Sequence, residues 1–204
     1  MREPWTKLDW LWPSCNEYGI PSLEPDDDHG VDLPVVAWGS IGRTRHMAGT
    51  WHLYVDDYRF DALWKHPHRP IDTGCKGLVE PNVSLFDQTP MAAAIWATYR
   101  KRWLARYWQS RNRRVWVDLN VPSRFASINL LGVPADWRHF ATRGYDRRLA
   151  ALDDEYATAK SHSDKATLMV IGGGAAVADW CQSHAGVVHV PYADTRNAYS
   201  QVSA

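Results

Sequence analysis

The 204-residue chain is long enough to bury the core of one domain without disulfides or a structural metal. It has 23 basic and 23 acidic residues, so a formal net charge of zero excludes a protein-wide field that attracts nucleic acid or anionic membranes. Cys15, Cys75 and Cys181 are odd in number and far apart, which predicts free thiols in a reducing compartment. Residues 1–5 lack the apolar start of a signal peptide and no apolar run is long enough to cross a bilayer, so we expect a cytoplasmic protein.

The first 33 residues are rich in proline, tryptophan and acidic groups and have no sustained hydrophobic period. They predict an irregular N-terminal arm that lies over a single α/β domain of residues 34–204 through Trp5, Trp10 and Trp12. The acidic run from Asp26 to Gly30 can ligate a hard cation. It lacks the other ligand positions of a calcium loop, and this favours a solvated loop instead.

From residue 34 onward, short β-rich runs alternate with helical patterns. The predicted strands cover residues 34–38, 51–55, 78–83, 115–121, 138–142, 167–171 and 187–190. The predicted helices cover residues 90–110, 147–161 and 175–184, and residues 124–136 are expected to form a long loop. This alternation predicts βαβ units and a mostly parallel sheet flanked by helices. We favour an incomplete α/β barrel over an open three-layer sheet.

Ligands of parallel α/β folds bind beyond the carboxyl ends of the strands, where loops and helix N-termini converge. This rule selects the polar residues at or just after the predicted strands. They are Glu80 and Asn82, Asp118 and Asn120, Arg143 to Asp146, Gly172 to Gly174, and Tyr192 and Asp194.

Glu80 and Asp118 end neighbouring predicted strands, so their carboxylates can share a proton or a divalent cation such as magnesium. That pair predicts the catalytic groups of a hydrolase or lyase. The alternative is that each carboxylate caps a helix or pairs with Arg143. Asn82 and Asn120 repeat an acid-x-Asn spacing, which places acid and amide on one side of a strand and favours a shared ligand.

Gly172, Gly173 and Gly174 follow an apolar strand and precede a helix, so their amides can cradle a phosphate or carboxylate. The motif lacks the third glycine of a dinucleotide fingerprint, and no Gly-Lys-Ser/Thr follows. Close packing of strand on helix explains the glycines equally well. Arg143 can complement an anionic ligand or can neutralise Asp146.

Residues 99–116 interleave basic and aromatic side chains, which predicts contacts with phosphates and bases through Arg102, Arg106 and Arg113. The alternative is an amphipathic helix, because aromatic residues from Trp96 to Tyr107 recur at helical spacing and leave the arginines on a solvated face. His-x-His at residues 66–68 with one later cysteine falls short of a zinc site, so we predict no bound metal there.

The sequence Glu-Pro-Asn-Val-Ser-Leu-Phe-Asp-Gln-Thr-Pro at residues 80–90 precedes Tyr-Arg-Lys-Arg-Trp-Leu-Ala-Arg-Tyr-Trp at residues 99–108. These blocks resemble an uncharacterised family, a domain of unknown function common in phages, prophages and other mobile elements. The resemblance extends over about residues 34–192 and leaves the arm outside. It implies a phage or mobile-element protein that acts inside a bacterial cell, in replication or in interaction with the host.

Three functions therefore compete. The first is a nucleotide- or nucleic-acid-binding protein of a mobile element, based on the glycine turn, Arg143 and the basic helix. The second is a metal-assisted hydrolase or lyase that uses Glu80 and Asp118. The third is a non-catalytic inhibitor or interaction protein that binds a host factor through exposed tryptophans of the arm.

Overall fold

The computed structural model describes residues 11–26, 29–39 and 47–191. No helix within these ranges is long and apolar enough to span a bilayer. Some residues discussed above lie outside the described residues, namely Trp5, Trp10, Asp27, Asp28, Tyr192 and Asp194.

Seven parallel strands form one sheet, in which each strand pairs with the next along the chain. This sequential order means that every crossover moves in the same direction, so the sheet curls into an open half-barrel with β1 and β7 at its edges. The incomplete barrel is confirmed, and the open three-layer sheet is wrong. The strands are β1 (Val35–Ala37), β2 (Thr50–Leu53), β3 (Gly77–Pro81), β4 (Arg114–Asp118), β5 (His139–Arg143), β6 (Thr167–Ile171) and β7 (Val187–Val190).

Helices cover the outside of the half-barrel, and the three long ones lie where the sequence predicts them. Short turns of 3-10 helix cover residues 57–59, 61–64 and 123–125. The expected loop at residues 124–136 contains a four-residue helix, which is too short for a hydrophobic period to reveal. The α-helices are α1 (Arg69–Asp72), α2 (Met91–Gln109), α3 (Ala126–Asn129), α4 (Leu149–His162) and α5 (Ala175–Ser183).

The main core lies between the strands and the surrounding helices, because alternate side chains of each strand point outward. Val115 and Val117 of β4 share this core with Trp103 and Trp108 of α2, and all four side chains are fully buried. Much of the tryptophan excess therefore fills the core. Burial of a large aromatic side chain stabilises the fold by roughly 1.5–3 kcal/mol.

A second, smaller core lines the inner face of the half-barrel. Val79, Trp116, Ala141 and Met169 come from four successive strands and are fully buried there. The inner face is therefore closed by side chains at mid-height, and polar groups gather at its two ends.

The described residues of the arm lie against the half-barrel. Residues 11–26 and 29–34 contain no helix or strand. Trp12 packs against the main core with its ring 4.8 Å from the Arg106 guanidinium, and the Leu23 amide donates to the Gly132 carbonyl at 2.8 Å. The three cysteines are free thiols, as expected.

Candidate functional site

Strands β3 and β4 separate at their carboxyl ends, and the Glu80 side chain fills the gap. Backbone pairing between the strands ends at Val79 and Trp116. One step further, Glu80 Oε2 accepts a hydrogen bond from the Asp118 amide at 3.2 Å. The other carboxylate oxygen accepts from Arg102 Nη1 of α2. Glu80 therefore replaces the missing backbone pairing, and its charge is neutralised by a buried arginine.

Lys101 stands between the two predicted catalytic carboxylates. Its Nζ lies 2.9 Å from Asp118 Oδ2 and 3.8 Å from Glu80 Oε2, and it also donates to Asn129 Oδ1 at 2.7 Å. The Tyr54 hydroxyl donates to Asp118 Oδ1 at 3.0 Å. The carboxylates thus meet, as the sequence predicts, but an ammonium group lies where we expected a shared metal or proton.

We call Glu80, Lys101, Arg102 and Asp118 the buried ion cluster. Each of the four side chains is at most 3% exposed, and the two positive charges balance the two negative ones. The remaining Arg102 donors reach the Leu131 and Asn129 carbonyls at 3.0 and 2.6 Å. Such a satisfied network fixes geometry, and removal of one member leaves an uncompensated buried charge.

The two predicted asparagine ligands bind each other. Asn82 Nδ2 donates to the Asn120 carbonyl at 2.7 Å, and Asn120 Nδ2 donates back to Asn82 Oδ1 at 3.1 Å. The Asn120 amide also donates to Asp118 Oδ1 at 3.0 Å. The two asparagines of the repeated acid-x-Asn spacing therefore join the end of β3 to the end of β4 by hydrogen bonds.

The glycine turn, for which anion binding and close packing were both open, holds a carboxylate of the chain itself. Asp146 Oδ1 accepts from the amides of Gly174 and Val177 at 2.9 and 3.1 Å, and so caps the N-terminus of α5. At Gly173, φ is +84° and a Cβ would stand 2.5 Å from Val177. Gly172 likewise has a positive φ of 87°. Close packing and capping explain these glycines.

Arg143 ends β5 on the inner face of the half-barrel. It is half-buried, and its guanidinium lies 4.9 Å from the centre of the Tyr145 ring. Burial, and second the charge of Arg143, lower the pKa of His52 on the inner face to about 3. His52 is therefore a neutral imidazole at physiological pH.

The arginines of α2 are more buried than the helical spacing predicts. Arg102 is fully buried, and Arg106 is 8% exposed and pairs with Glu24 of the arm. Arg113, which follows the end of α2, is half-buried. The expectation of a solvated basic face is wrong for Arg102 and Arg106, because the arm and the segment after α3 cover this side of the helix.

A pocket that the sequence reasoning missed lies beside the ion cluster, on the outer side of the β4 and β5 ends. Its cavity volume is about 460 Å³, within the range of small-molecule sites. The loops after β3 and β4 and helices α3 and α4 form its walls. The lining residues are Leu85, Phe86, Asp87, Gln88, Leu119, Val121, Pro122, Ser123, Ala126, Asn129, Arg148, Ala151, Asp154, Glu155 and Thr158.

Glu155 of α4 is the unusual titratable group of this pocket. Burial raises its pKa to about 8, and the charges of Asp118 and Asp154 act in the same direction. The Thr142 hydroxyl at the end of β5 lies 2.5 Å from Glu155 Oε2, and this hydrogen bond opposes the rise. The carboxyl group is therefore largely protonated at pH 7, as acid–base groups of enzymes often are.

A sequence signal for Glu155 did exist. Leu152, Glu155 and Ala159 recur at spacings of three and four, so the glutamate lies on the buried face of α4. A carboxylate on such a face needs a partner or a raised pKa. The strand-end rule overlooked it because its side chain comes from a helix.

Comparison with known proteins gives one family and two relatives. The sequence profile of a family described as "Domain of unknown function (DUF4417)" matches residues 12–134. The match begins in the arm and ends before β5, so the expected extent of residues 34–192 has to be corrected at both ends. The buried ion cluster lies inside the matched segment, whereas Glu155 lies beyond it.

Both relatives are mycobacteriophage proteins. The "Gene 1 protein" of Mycobacterium phage D29 is 36% identical over 113 residues, which is 53% of this chain and 41% of that protein. The "Gene 1 protein" of Mycobacterium phage L5 is 37% identical over 114 residues, which is 53% of this chain and 48% of that protein. The chain thus aligns with less than half the length of each relative. No solved structure matches it.

Proposed function

We propose that this chain, which belongs to the phage-associated family DUF4417, binds a nucleoside or nucleotide in the pocket beside Glu155 and uses that carboxyl group as an acid or base. The observation that carries the proposal is the buried Glu155, whose pKa is raised to about 8, in the wall of a cavity of about 460 Å³. A roomy pocket with a perturbed titratable group is the strongest physical signal of a ligand site in an uncharacterised fold.

The ligand class follows from the pocket walls. Phe86 is 67% exposed at the rim and offers a ring on which a base can stack. Protonated Glu155 supplies a hydrogen-bond donor, and the exposed Gln88 lines the same cavity with a carboxamide. Arg148 supplies a positive charge at the edge for a phosphate. These groups complement a base with both donors and acceptors and an anionic tail.

A single nucleotide fits this pocket better than a nucleic-acid strand does. A strand requires an open basic surface, since phosphate contacts dominate its affinity. Arg102 and Arg106 are buried in ion pairs and are not available for such contacts. Of the two ligands in the first hypothesis, a nucleotide or a nucleic acid, the geometry therefore supports the nucleotide.

The expected chemistry is proton transfer by Glu155. In its protonated form the carboxyl group can donate to a leaving or developing oxygen or nitrogen of the ligand, and once ionised it can act as a base. Asp87 and Asp154 at the rim offer carboxylates to a magnesium ion that a nucleotide brings with it. Glu80 and Asp118 keep the supporting role of holding β3, β4 and α2 in place.

The test is calorimetric titration of the full chain with ribonucleoside monophosphates and triphosphates, with magnesium and at low salt. We expect at least one of them to bind, and Ala151→Phe, which fills the pocket, to weaken binding at least about tenfold, or about 1.4 kcal/mol. Ala150→Phe is the matched control, because Ala150 is the exposed neighbour on the same helix and does not line the pocket.

The pH dependence of the affinity tests whether Glu155 contacts the ligand. Affinity should fall as the pH rises through about 8, because ionised Glu155 loses its donor, and Glu155→Gln should abolish this pH dependence. Absence of binding by every nucleotide, or equal affinity of Ala151→Phe and Ala150→Phe, would refute the proposed site. We place this activity in the cytoplasm of a bacterial host, because both relatives are phage proteins.

A further inference from the structure

A second group of functional side chains lies at the opposite, amino-terminal end of the half-barrel. His139 is the first residue of β5, and Asp26 and His29 come from the arm. One ligand-type atom from each of the three lies within 4.8 Å of the others. The two histidines are buried and Asp26 is half-buried. Among the described residues this is the set that can hold a metal ion, whereas the His-x-His at residues 66–68 gathers no third ligand.

The hydrogen-bond partners of His29 point to a cation. Its Nδ1 lies 3.2 Å from the Gly30 carbonyl oxygen, and its Nε2 lies 3.0 Å from Asp26 Oδ2. Both partners are acceptors, whereas a neutral imidazole has one N–H donor and one lone pair. Whichever nitrogen carries the proton, the other directs a lone pair at an oxygen. A metal ion between Nε2 and Asp26 removes this conflict.

His139 supplies a second imidazole beside the same place. Its Nε2 accepts the His29 backbone amide at 3.3 Å, so this nitrogen is unprotonated. Its single lone pair binds a metal once the His29 amide moves away from it. The two imidazole rings stack with centroids 3.6 Å apart, and Trp116 packs edge-on against both. Nδ1–H of His29 on the Gly30 carbonyl is the kind of second contact that orients a metal-bound histidine.

We propose that Asp26, His29 and His139 bind a divalent transition metal, with zinc(II) as the best match, and that the metal fastens the arm to the barrel. Two imidazoles and one carboxylate suit zinc, whereas magnesium and calcium prefer oxygen ligands alone. Zinc ligands stand about 3.3 Å apart in a tetrahedron. His29 Nε2 and Asp26 Oδ2 already lie 3.0 Å apart, so only the ligand atom of His139, which lies within 4.8 Å of the other two, has to approach, by up to about 1.5 Å. The described residues of the arm form no helix or strand, so they can supply that movement, and water completes the site.

This site is independent of the nucleotide pocket, because the two lie at opposite ends of the strands. The amino-terminal end of an α/β barrel contributes stability and the carboxyl end carries the chemistry. A metal that joins His139 of β5 to two residues of the arm therefore has a structural role.

The test starts from full-length protein freed of metal with a chelator and then titrated with zinc(II) or cobalt(II). We expect one equivalent to bind, with the visible spectrum of low-symmetry four-coordinate cobalt. At a free zinc concentration of 100 times Kd, Tm should rise by roughly 5–10 °C. Asp26→Asn and His29→Gln should each weaken binding at least about tenfold.

The matched control is His68→Gln. His68 and Asp72 also form a histidine–aspartate pair, at 3.8 Å, but both are exposed and no third ligand joins them. This variant should bind zinc as the unsubstituted chain does. Because Asp26 lies in the arm rather than in a strand, Asp26→Asn should leave the fold intact and make a negative result interpretable.

Two outcomes would overturn the proposal. One is zinc affinity that is the same in the unsubstituted chain, in Asp26→Asn and in His29→Gln. The other is an unsubstituted chain that binds no zinc or cobalt and whose His29 carries protons on both ring nitrogens, as nitrogen-15 NMR would show. In that case an imidazolium, and not a metal, satisfies the two acceptors.

Discussion

Replacement of Glu155 by glutamine should change the pH dependence of stability. Glutamine keeps the size of the protonated side chain and an acceptor for Thr142, but it cannot ionise. Burial raises the pKa of Glu155 from the ordinary value of 4.5 to about 8. The folded protein therefore holds a proton that the unfolded chain releases.

Proton linkage gives the direction in which stability changes with pH. Between about pH 4.5 and pH 8 the unfolded state binds fewer protons, so stability falls as the pH rises. The stabilising contribution of this proton is fully present below pH 4.5, falls steadily as the pH rises toward 8, and is absent above pH 8. At about 1.36 kcal/mol per pH unit, the loss is about 3 kcal/mol at pH 7 and about 5 kcal/mol at pH 9. Glu155→Gln should be more stable than the unsubstituted chain by these amounts, and equally stable below pH 4.5.

The assay is urea unfolding at pH 5, 7 and 9, followed by the fluorescence of the buried tryptophans. Glu17→Gln is the control, because Glu17 is exposed and its removal should shift the free energy of unfolding by at most about 0.5 kcal/mol at each pH. If the stability difference between Glu155→Gln and the unsubstituted chain does not change with pH, the raised pKa and the acid–base role are refuted.

Three further substitutions test the surroundings. Thr142→Val removes a hydrogen bond that lowers the pKa of Glu155, so carbon-13 NMR should show the carboxyl group titrating at a higher pH. Arg102→Met removes the nearest cation of Glu80 and leaves the buried ion cluster with one uncompensated negative charge, and urea unfolding should show a loss of about 3–5 kcal/mol. Asp146→Ala removes the cap of α5 and should lower the free energy of unfolding by about 0.5–2 kcal/mol.

Each of the two stability losses has a matched control. Arg111→Met removes an exposed arginine near the end of the same basic segment and should cost less than about 1 kcal/mol. Asp179→Ala removes an exposed carboxylate from α5 without touching its N-terminus and should have a similarly small effect. Equal losses for Arg102→Met and Arg111→Met would contradict the buried ion cluster.

The fold was predictable from the sequence because its signals are local. Alternating β-rich runs and helical patterns define seven strands and three long helices, and parallel strands bring their carboxyl ends together. That convergence also explains why the proximity of Glu80 and Asp118 could be predicted.

The parts of the site that escaped prediction depend on contacts between distant segments. Helical spacing places Arg106 on an outer face, but Glu24 and Trp12 of the arm cover it. Asp146 caps a helix that begins 29 residues later, where the glycines alone suggest a vacant anion site. A pattern along the chain cannot show which distant side chain occupies such a position.

The pocket escaped prediction for a related reason. Its walls come from two strand-end loops and two helices, and no motif joins them in sequence. Glu155 carried a signal in its place on the buried face of α4, but the consequence for its pKa depends on how Thr142, Asp118 and Asp154 surround it. The pKa of Glu155 can therefore be predicted only when the positions of these side chains are known.

The most direct test of the nucleotide-binding site is a crystal structure of the full chain soaked with a nucleotide that binds in solution, together with magnesium. We predict density for the ligand between Phe86 and Glu155, with its anionic end near Arg148. Density at the glycine turn, on the inner face beside Arg143, or along the basic helix α2, with an empty pocket, would contradict the site proposed for this protein.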